Sequence, residues 1–265
     1  MPRWKSIQIP LPPLSVQQEI VRILDKFTTL EAELEAELEA RKKQYEYYRD
    51  HLLTFGDEVE WKTLGEISLL YGGLTGKNKT DFEEGNASYI SYKNIFDNIE
   101  IDFDKLEKVK VAISENQNKV RYGDVLFTGS SETSEEAGMS SAITTAIDDN
   151  VYLNSFSFGL RFNNDIAITP DFSKHLFRSH FMRMTISKTA SGVTRFNISK
   201  ERFKKISIPL PSLSEQQRIA AILDKFDTFV NSISEGLPKE IELRRKQYEY
   251  YREQLLSFSK REAMV

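Results

Sequence analysis

The sequence predicts an α+β protein: one globular, mixed but β-rich domain, together with two long helices that form an antiparallel coiled coil. The first observation is a repeat, because residues 5–29 read KSIQIPLPPLSVQQEIVRILDKFTT and residues 204–228 read KKISIPLPSLSEQQRIAAILDKFDT. The repeat resumes with RKKQYEYYRDHLLTF at 41–55 and RRKQYEYYREQLLSF at 244–258. The second observation is that the sequence between the two copies does not repeat and alternates apolar with polar residues in short runs.

Each copy begins with an extended segment and continues as a helix. The motif I-x-I-P-L-P at 7–12 and 206–211 carries two prolines, which favour an extended backbone. The L-S-x-Q-Q motif that follows predicts helix starts near Val16 and Glu215. A serine N-cap and a glutamine three residues later, as in a capping box, are predicted in both copies: Ser15 with Gln18, and Ser214 with Gln217.

Apolar residues recur at steps of three and four along both helices, from Ile20 in the first copy and from Ile219 in the second. This spacing is typical of a coiled-coil seam. Gly236 and Pro238 predict a kink or break in the second helix. A long helix with one apolar stripe must bury that stripe on a partner. The other copy, in an antiparallel pair within one chain, is the favoured partner, and pairing between two molecules is the alternative.

The motif Y-E-Y-Y-R closes both helices, at 45–49 and at 248–252. Tyrosine and arginine are enriched at protein interfaces, so the motif predicts docking surfaces for another protein. The alternative is aromatic packing within the seam. The predicted docking residues are Tyr45, Tyr48, Arg49, Tyr248, Tyr251 and Arg252.

The non-repeated segment predicts a single globular domain. Its strand-like runs are EWKTLGEISLLYGG, ASYISYKNI, GDVLFTGS, AITTAI and YLNSFSFGLRF, separated by Gly, Asn and Asp. Residues 171–188 predict a helix whose apolar side consists of Phe172, Leu176, Phe177, Phe181 and Met184.

Composition and motifs argue against catalysis. The chain of 265 residues has no cysteine, which excludes disulfides and argues against structural zinc. No apolar run reaches the roughly 20 residues that span a bilayer, and the sequence predicts a cytoplasmic protein. GGLTGKNKT at 72–80 fails the P-loop spacing, and methyltransferase, nuclease and nucleophile-elbow motifs are missing. We therefore predict no catalytic residue and no metal site.

One stretch of the chain is strongly basic although the net charge is −4. Nine Lys or Arg residues lie between Lys174 and Lys205, against the single acid Glu201. Local charge decides phosphate contact, so this stretch favours nucleic-acid binding, with a solvated basic surface as the alternative. Polar loops at 76–80, 92–94, 128–131 and 190–195 supply donors suited to phosphates and bases.

Four motifs carry a family resemblance: W-K-T-L-G-E-I at 61–67, G-D-V-L-F at 123–127, S-G-V-T-R-F-N-I-S at 191–199, and the repeated I-P-L-P to D-K-F segment. Together they resemble the specificity subunits of Type I restriction–modification systems, over nearly the whole chain. The resemblance implies a non-catalytic subunit in which two target-recognition domains each read half of a split DNA site. It also implies an antiparallel coiled coil that spaces them and holds the modification subunits.

The resemblance further implies partners and cofactors. The partners are double-stranded DNA, modification subunits and a restriction subunit, and S-adenosylmethionine, ATP and magnesium belong to those partner subunits rather than to this chain. The DNA contacts it implies, loop by loop, are Lys77, Lys79, Tyr92, Lys93, Asn94, Ser130, Ser131, Thr194 and Arg195.

The chain departs from the family in carrying one recognition domain instead of two. We predict a remnant of a preceding recognition domain at 1–14, a central helix at 15–56, the recognition domain at 57–212 and a C-terminal helix at 213–260. A homodimer would supply the second domain. A non-catalytic coiled-coil scaffold that binds only protein is the alternative function, and a nuclease or methyltransferase is disfavoured by the missing motifs.

Overall fold

The computed structural model describes residues 9–147, 150–232 and 235–258. Most of the predicted remnant at 1–14 and the end of the predicted C-terminal helix at 213–260 lie outside the described residues. The chain divides into two compact units, Glu46–Leu223 and the combination of Met1–Tyr45 with Asp224–Val265. Long helices together with many short strands confirm the predicted α+β class. The predicted domain boundaries stay a prediction.

Three helices form the repeated part of the chain: α1 (Leu14–Leu52), α7 (Leu213–Asn231) and α8 (Gly236–Leu256). The second copy is therefore divided into two helices, as Gly236 and Pro238 predict. Gly236 itself adopts a φ of +71°, a value that disfavours other residues.

Aromatic side chains pair α1 with α7 and α8. Phe27 stacks on Tyr251 with ring centroids 5.3 Å apart and contacts Tyr248 at 6.4 Å. Tyr45 stacks on Phe226 at 6.5 Å. Later residues of α1 contact partners with lower residue numbers, since Phe27 contacts Tyr251 and Tyr45 contacts Phe226. The paired helices therefore run in opposite directions within one chain. Phe27 and Phe226 are equivalent repeat positions, as are Tyr45 and Tyr248. Equivalent residues therefore meet in both places, with tilted rings for Phe27 and Tyr248 and stacked rings for Phe226 and Tyr45. The supercoil of a coiled coil stays a prediction.

The predicted N-caps are wrong. The helices begin at Leu14 and Leu213, so Ser15 and Ser214 lie inside the first turn. In the second copy the cap is Ser212, whose Oγ accepts a hydrogen bond from the backbone N–H of Glu215 at 3.3 Å. The equivalent position in the first copy is Pro13, which has no side-chain acceptor and offers only its carbonyl.

The Q-Q pair of each copy has a different local role from the predicted capping box. The first glutamine of the pair, not the second, folds back on the extended segment. Gln17 Nε2 donates to the carbonyl of Pro12 at 2.7 Å, and Gln216 Nε2 donates to the carbonyl of Pro211 at 2.9 Å. The repeated motif thus satisfies a prolyl carbonyl at the entrance of each helix.

The unit Glu46–Leu223 is built from short strands around a central antiparallel sheet of order β2-β9-β5-β7. Further sheets have the orders β4-β3-β8, β10-β11-β6 and β1-β12. The strands are β1 (Glu60–Thr63), β2 (Ser68–Gly72), β3 (Ala87–Ile90), β4 (Glu107–Val109), β5 (Val125–Thr128), β6 (Ser130–Ser131), β7 (Ser140–Ala142), β8 (Val151–Leu153), β9 (Ser157–Phe162), β10 (Ala190–Ser191), β11 (Phe196–Ile198) and β12 (Ser207–Leu210). Its short helices are α2 (Leu64–Ile67), α3 (Tyr92–Asp97), α4 (Pro170–Leu176), α5 (His180–Ser187) and α6 (Lys200–Phe203).

The helix predicted over 171–188 is two helices, α4 and α5. Ser179 separates them, and its Oγ accepts a hydrogen bond from the backbone N–H of Met182 at 3.4 Å, which caps α5. Because the break redirects the chain, the predicted common apolar side is wrong. Three of the five predicted residues are buried, namely Phe172, Leu176 and Phe177. Phe181 and Met184 are 51% and 45% exposed.

Four phenylalanines pack at the centre of this unit. Phe127 lies between Phe158 at 5.3 Å, Phe177 at 5.1 Å and Phe203 at 5.0 Å, measured between ring centroids. All four side chains are buried, so strands β5 and β9 are joined to α4 and α6 through one aromatic cluster.

A buried polar cluster joins β2 and β9 to the start of β5. Asp124, the acid of the G-D-V-L-F motif, accepts hydrogen bonds from the hydroxyl of Tyr71 at 2.6 Å and from Arg161 Nε and Nη2 at 2.8 and 2.6 Å. Burial first, and the charge of Asp124 second, raise the pKa of Tyr71 well above its usual value. The phenol therefore stays a hydrogen-bond donor at every physiological pH.

Candidate nucleic-acid interface

The S-G-V-T-R-F-N-I-S motif forms a hairpin of β10 and β11. Gly192 is required at its turn, because a Cβ there would lie 1.9 Å from the carbonyl oxygen of Arg195. Strand β11 also pairs with β6, with Phe196 opposite Ser131 and Asn197 opposite Ser130. The hairpin therefore places Arg195 beside β6, at the end of the G-D-V-L-F-T-G-S-S segment.

Arg195 is held by a serine and an aromatic ring. Its Nε donates to Ser130 Oγ at 2.9 Å, and its Cζ lies 5.8 Å from the ring centroid of Phe156. Phe156 is 61% exposed although its backbone is tightly anchored. Its N–H donates to Asn154 Oδ1 at 3.0 Å, and its carbonyl accepts from Gly129 N–H at 2.8 Å. The chain thus presents an oriented guanidinium beside an exposed ring.

Helix α3 contributes to the same surface. The hydroxyl of Tyr92 donates to the carbonyl of Ser130 at 2.9 Å, and its ring stacks on Phe96 at 6.0 Å. These side chains line an open pocket of about 510 Å³. We name its lining the Arg195 surface, and its members are Tyr92, Phe96, Ser130, Ser131, Glu132, Glu136, Phe156, Thr194 and Arg195. Five of the nine predicted DNA contacts belong to it.

A second shallow pocket adjoins the Arg195 surface and shares Ser130, Phe156 and Arg195 with it. Asn197 and Lys200 line its far side, and both are exposed. Lys200 Nζ lies 5.8 Å from the ring centroid of Phe158. Cationic and amide donors therefore continue beyond Arg195 along β11 and α6.

The loop that links β6 to β7 is fixed at several points. Thr128 closes its base, because Thr128 N–H donates to the carbonyl of Met139 and Met139 N–H donates to Thr128 Oγ1, both at 2.9 Å. Arg183 of α5 donates to the carbonyls of Glu135 at 2.7 Å, Ala137 at 2.8 Å and Gly138. Burial lowers the pKa of Arg183 to about 10, so the guanidinium remains charged near neutral pH.

The other two predictions on α3 have different outcomes. Lys93 is exposed, next to Tyr92. Asn94 is only 3% exposed, and its amide bonds to the backbone of Asp102, donating at 2.8 Å and accepting at 3.1 Å. Its Oδ1 also accepts from Asn98. The expectation of a base contact by Asn94 is corrected, because this amide is committed to folding the chain.

Lys77 and Lys79 lie on a loop that packs against residues 112–118. The Lys77 side chain is 6% exposed, and its Nζ lies 2.5 Å from Glu115 Oε2. Hydrogen bonds from Lys77 first, then from Ala112 N–H and Gln117, lower the pKa of Glu115 to about 2. The charge of Lys77 is therefore paired within the chain, and its contact with DNA stays a prediction. Lys79 is exposed.

Three of the nine cations in the predicted basic stretch are also used in contacts within the protein. Lys174 is buried, with its Nζ 3.0 Å from Glu100 Oε2. Arg178 donates to the carbonyls of Ile95, Phe96 and Asn98 at 2.9–3.0 Å and so caps α3. Arg183 holds the β6–β7 loop, as described above. The exposed cations of the stretch are Lys188, Arg195, Lys200, Arg202, Lys204 and Lys205.

Sequence reasoning missed four members of the Arg195 surface: Phe96, Glu132, Glu136 and Phe156. Phe156 belongs to a strand-like run, in which an aromatic residue is read as core. The available signal was the Asn154–Ser155 pair before it, since Asn and Ser favour turns that place the next residue outside a strand. The two glutamates were missed because carboxylates are repelled by phosphate.

The predicted docking residues divide between packing and exposure. Tyr45 is buried and Tyr248 half-buried, and each packs on a phenylalanine of the opposite helix, which agrees with the alternative of seam packing. Arg252 lies with its Cζ 5.7 Å from the Tyr248 ring, and the Arg49 side chain is 16% exposed beside Asp50. Tyr48 and Tyr251 are 37% and 40% exposed.

Each Y-E-Y-Y-R motif also presents a tyrosine that sequence analysis passed over. Tyr47 and Tyr250 are equivalent positions, 65% and 60% exposed. Each meets the following tyrosine edge-on, with centroids 5.6 Å apart for Tyr47 and Tyr48 and 5.5 Å apart for Tyr250 and Tyr251. The two motifs therefore display the same local aromatic geometry.

Within 9–147, 150–232 and 235–258, no group of three or more His, Cys, Asp or Glu side chains is arranged to hold a metal ion. No helix in the described part of the chain is both long enough and apolar enough to cross a membrane.

Comparison with known proteins gives consistent matches. The model of the Type I restriction modification DNA specificity domain matches residues 1–40 and 56–243. The chain is 41% identical over 276 residues to the Type I restriction enzyme EcoR124I/EcoR124II specificity subunit of Escherichia coli, covering 98% of this chain and 65% of that protein. It is 32% identical over 274 residues to a putative type I specificity subunit of Mycoplasma pneumoniae, covering 96% of this chain and 74% of that one.

The fold is also similar to a solved structure. The crystal structure of the HsdS subunit from Thermoanaerobacter tengcongensis matches with a TM-score of 0.58 at 19% identity, covering 92% of this chain and 59% of that chain. The chain thus spans less than two thirds of the E. coli relative and of this structure. With a family model that matches most of its length, this chain belongs to the family of Type I restriction–modification DNA specificity domains.

Proposed function

We propose that this chain is a non-catalytic DNA-recognition subunit of a Type I restriction–modification complex and that the Arg195 surface reads one half of a split target. Relatives named as specificity subunits support the general role. In this proposal the chain works in the cytoplasm, and S-adenosylmethionine, ATP and magnesium are bound by partner subunits.

The observation that carries the proposal is the oriented guanidinium of Arg195. Ser130 Oγ and the Phe156 ring hold its Nε side, which leaves the two terminal nitrogens as a donor fork. Such a fork matches the O6 and N7 acceptors of guanine in the major groove. Phosphate contact needs only a flexible charge, whereas base reading needs a fixed direction.

The neighbouring groups suit the rest of a DNA contact. Exposed Lys200 lines the adjoining pocket and exposed Lys93 follows Tyr92, so both are cations available to nearby phosphates. Phe156 offers an apolar face for a thymine methyl group or a sugar. An exposed, anchored phenylalanine is unfavourable in water, so an apolar contact in the complex gives it a role.

We further propose that the paired helices dock modification subunits and that a second copy of the chain supplies the other half-site reader. The contact of Phe27 with Tyr248 repeats that of Phe226 with Tyr45, and Tyr47 and Tyr250 are exposed in equivalent positions. Two like surfaces favour two copies of one partner. A homodimer with two-fold symmetry would read a split palindrome.

The test uses the full chain co-expressed with its modification subunit. Binding selection from a library of random duplexes, followed by methylation mapping in cells, should yield one short motif, repeated as an inverted pair around a fixed gap. A single unrepeated half-site would contradict the homodimer. Binding that selects no sequence, with protein partners still captured by the helices, would favour the scaffold alternative.

A further inference from the structure

Glu136 places a carboxylate on the Arg195 surface. Its Oε2 accepts a hydrogen bond from Ser131 Oγ at 3.1 Å, one residue along β6 from the serine that holds Arg195. The residue is nevertheless exposed. A carboxylate facing the phosphate backbone opposes non-specific binding, because its charge repels DNA at every sequence. A donor on a base edge would offset this repulsion at selected sequences only.

The backbone around Glu136 is held from both sides. Arg183 donates to the carbonyl of Glu135, before it, and to the carbonyls of Ala137 and Gly138, after it. Gly138 has a φ of +69°, and a Cβ there would lie 2.5 Å from Ile186 Cγ2, so the loop sits directly against α5. A base contact needs such fixed placement, because each base presents its groups in one direction.

Major-groove chemistry limits what this carboxylate could accept. The donors on base edges there are the exocyclic amino groups N4 of cytosine and N6 of adenine. Guanine and thymine present acceptors, which an ionised carboxylate repels. Arg195 and Glu136 therefore form a donor and an acceptor on one surface, suited to different bases.

We propose that Glu136 is a specificity-determining residue that accepts a hydrogen bond from the amino group of a cytosine or adenine in the target, and that Arg183 is its positioning residue. This inference rests on the proposed DNA-reading function. It adds an acceptor to the donor role of Arg195, and it explains why a buried arginine of the basic stretch contacts protein carbonyls instead of phosphate.

The test begins with the duplex that the wild-type full chain selects. In that duplex each adenine is replaced in turn by purine and each cytosine by pyrimidin-2-one, which lack only the exocyclic amino group. We expect one replacement to weaken wild-type binding about tenfold, the scale of a charged hydrogen bond. For Glu136→Ala the same replacement should cost less than about twofold, because no side-chain acceptor remains.

Glu135→Ala is the matched control. Glu135 is an adjacent exposed glutamate that does not line the Arg195 surface, and its variant removes the same charge. It should retain the wild-type penalty at every replaced base. A shared loss of discrimination in both variants, or a full penalty kept by Glu136→Ala, would overturn the role of Glu136.

Arg183→Lys tests the positioning role, since lysine keeps the charge but loses the fork that spans three carbonyls. We expect the penalty for the missing amino group to fall to about threefold or less, with unchanged affinity for random duplex and an unchanged salt slope. An undiminished penalty in a folded Arg183→Lys variant overturns positioning. If the wild-type chain selects no sequence at all, the proposed DNA-reading function is refuted. That outcome differs from the ones above, in which the chain selects a sequence but Glu136 has no role in the selection.

Discussion

Replacement of Arg195 by lysine separates base reading from simple charge attraction. Lysine retains the positive charge but replaces a planar fork with a single flexible ammonium. It also loses the contact from Nε to Ser130 Oγ at 2.9 Å and the stacking above Phe156. A bidentate contact to guanine discriminates by about 1–3 kcal/mol, which corresponds to about 5-fold to 150-fold in affinity. The selected duplex should therefore bind Arg195→Lys weaker by a factor in that range.

The assay is fluorescence anisotropy with the selected duplex and with a scrambled duplex, each over a range of salt concentrations. Binding to the scrambled duplex and the salt slope should not change in Arg195→Lys, because the charge is conserved. Arg202→Lys, an exposed arginine of the same basic stretch, is the control and should behave as wild type on both duplexes. Equal losses on both duplexes would refute the reasoning, as would a full retention of specific affinity.

Three further predictions follow from local contacts. Asp124→Ala removes the carboxylate that pairs with Arg161 and accepts from the buried hydroxyl of Tyr71, and it leaves Arg161 only the carbonyl of Lys119. We expect a loss of about 3–5 kcal/mol in the free energy of unfolding by urea, and a loss of less than about 1 kcal/mol would contradict the cluster. The pKa of Glu115 is lowered from its ordinary value of 4.5 to about 2, so the ion pair with Lys77 should be complete above pH 4.5 and be lost as the pH falls towards 2. In Lys77→Met, NMR titration should show that the pKa of Glu115 has risen. Ser212→Ala should cost about 0.5–2 kcal/mol by removing the observed cap of α7, and an unchanged midpoint would argue against that cap.

Local patterns in the sequence were good guides where the structure depends on local chemistry. The repeat and its three-and-four spacing predicted paired helices, and Gly236 with Pro238 predicted the division between α7 and α8. The helix starts were placed within a few residues, but the caps were wrong because Ser212 and Ser214 both suit a cap by residue type. Only the backbone path shows which serine stands outside the helix.

The candidate interface was predicted in part, for a related reason. The polar loops around Ser130 and Arg195 are visible as sequence, yet their meeting is a contact between residues 65 positions apart. Exposure was less predictable still. Asn94 and Phe156 reversed the ordinary expectation, because the amide is used by the backbone of a neighbouring turn while the ring stands outside the core.

The sequence by itself determined the α+β class, the duplicated helices, and a resemblance to the specificity-subunit family, because periodicity and motifs are properties of neighbouring residues. The tertiary structure alone decided which cations of the basic stretch remain exposed. Arg178 and Arg183 bind carbonyls of distant loops, whereas Arg195 is directed outward by Ser130 and Phe156. A guanidinium has the same charge in either setting, and only the groups that the fold brings to it determine its role.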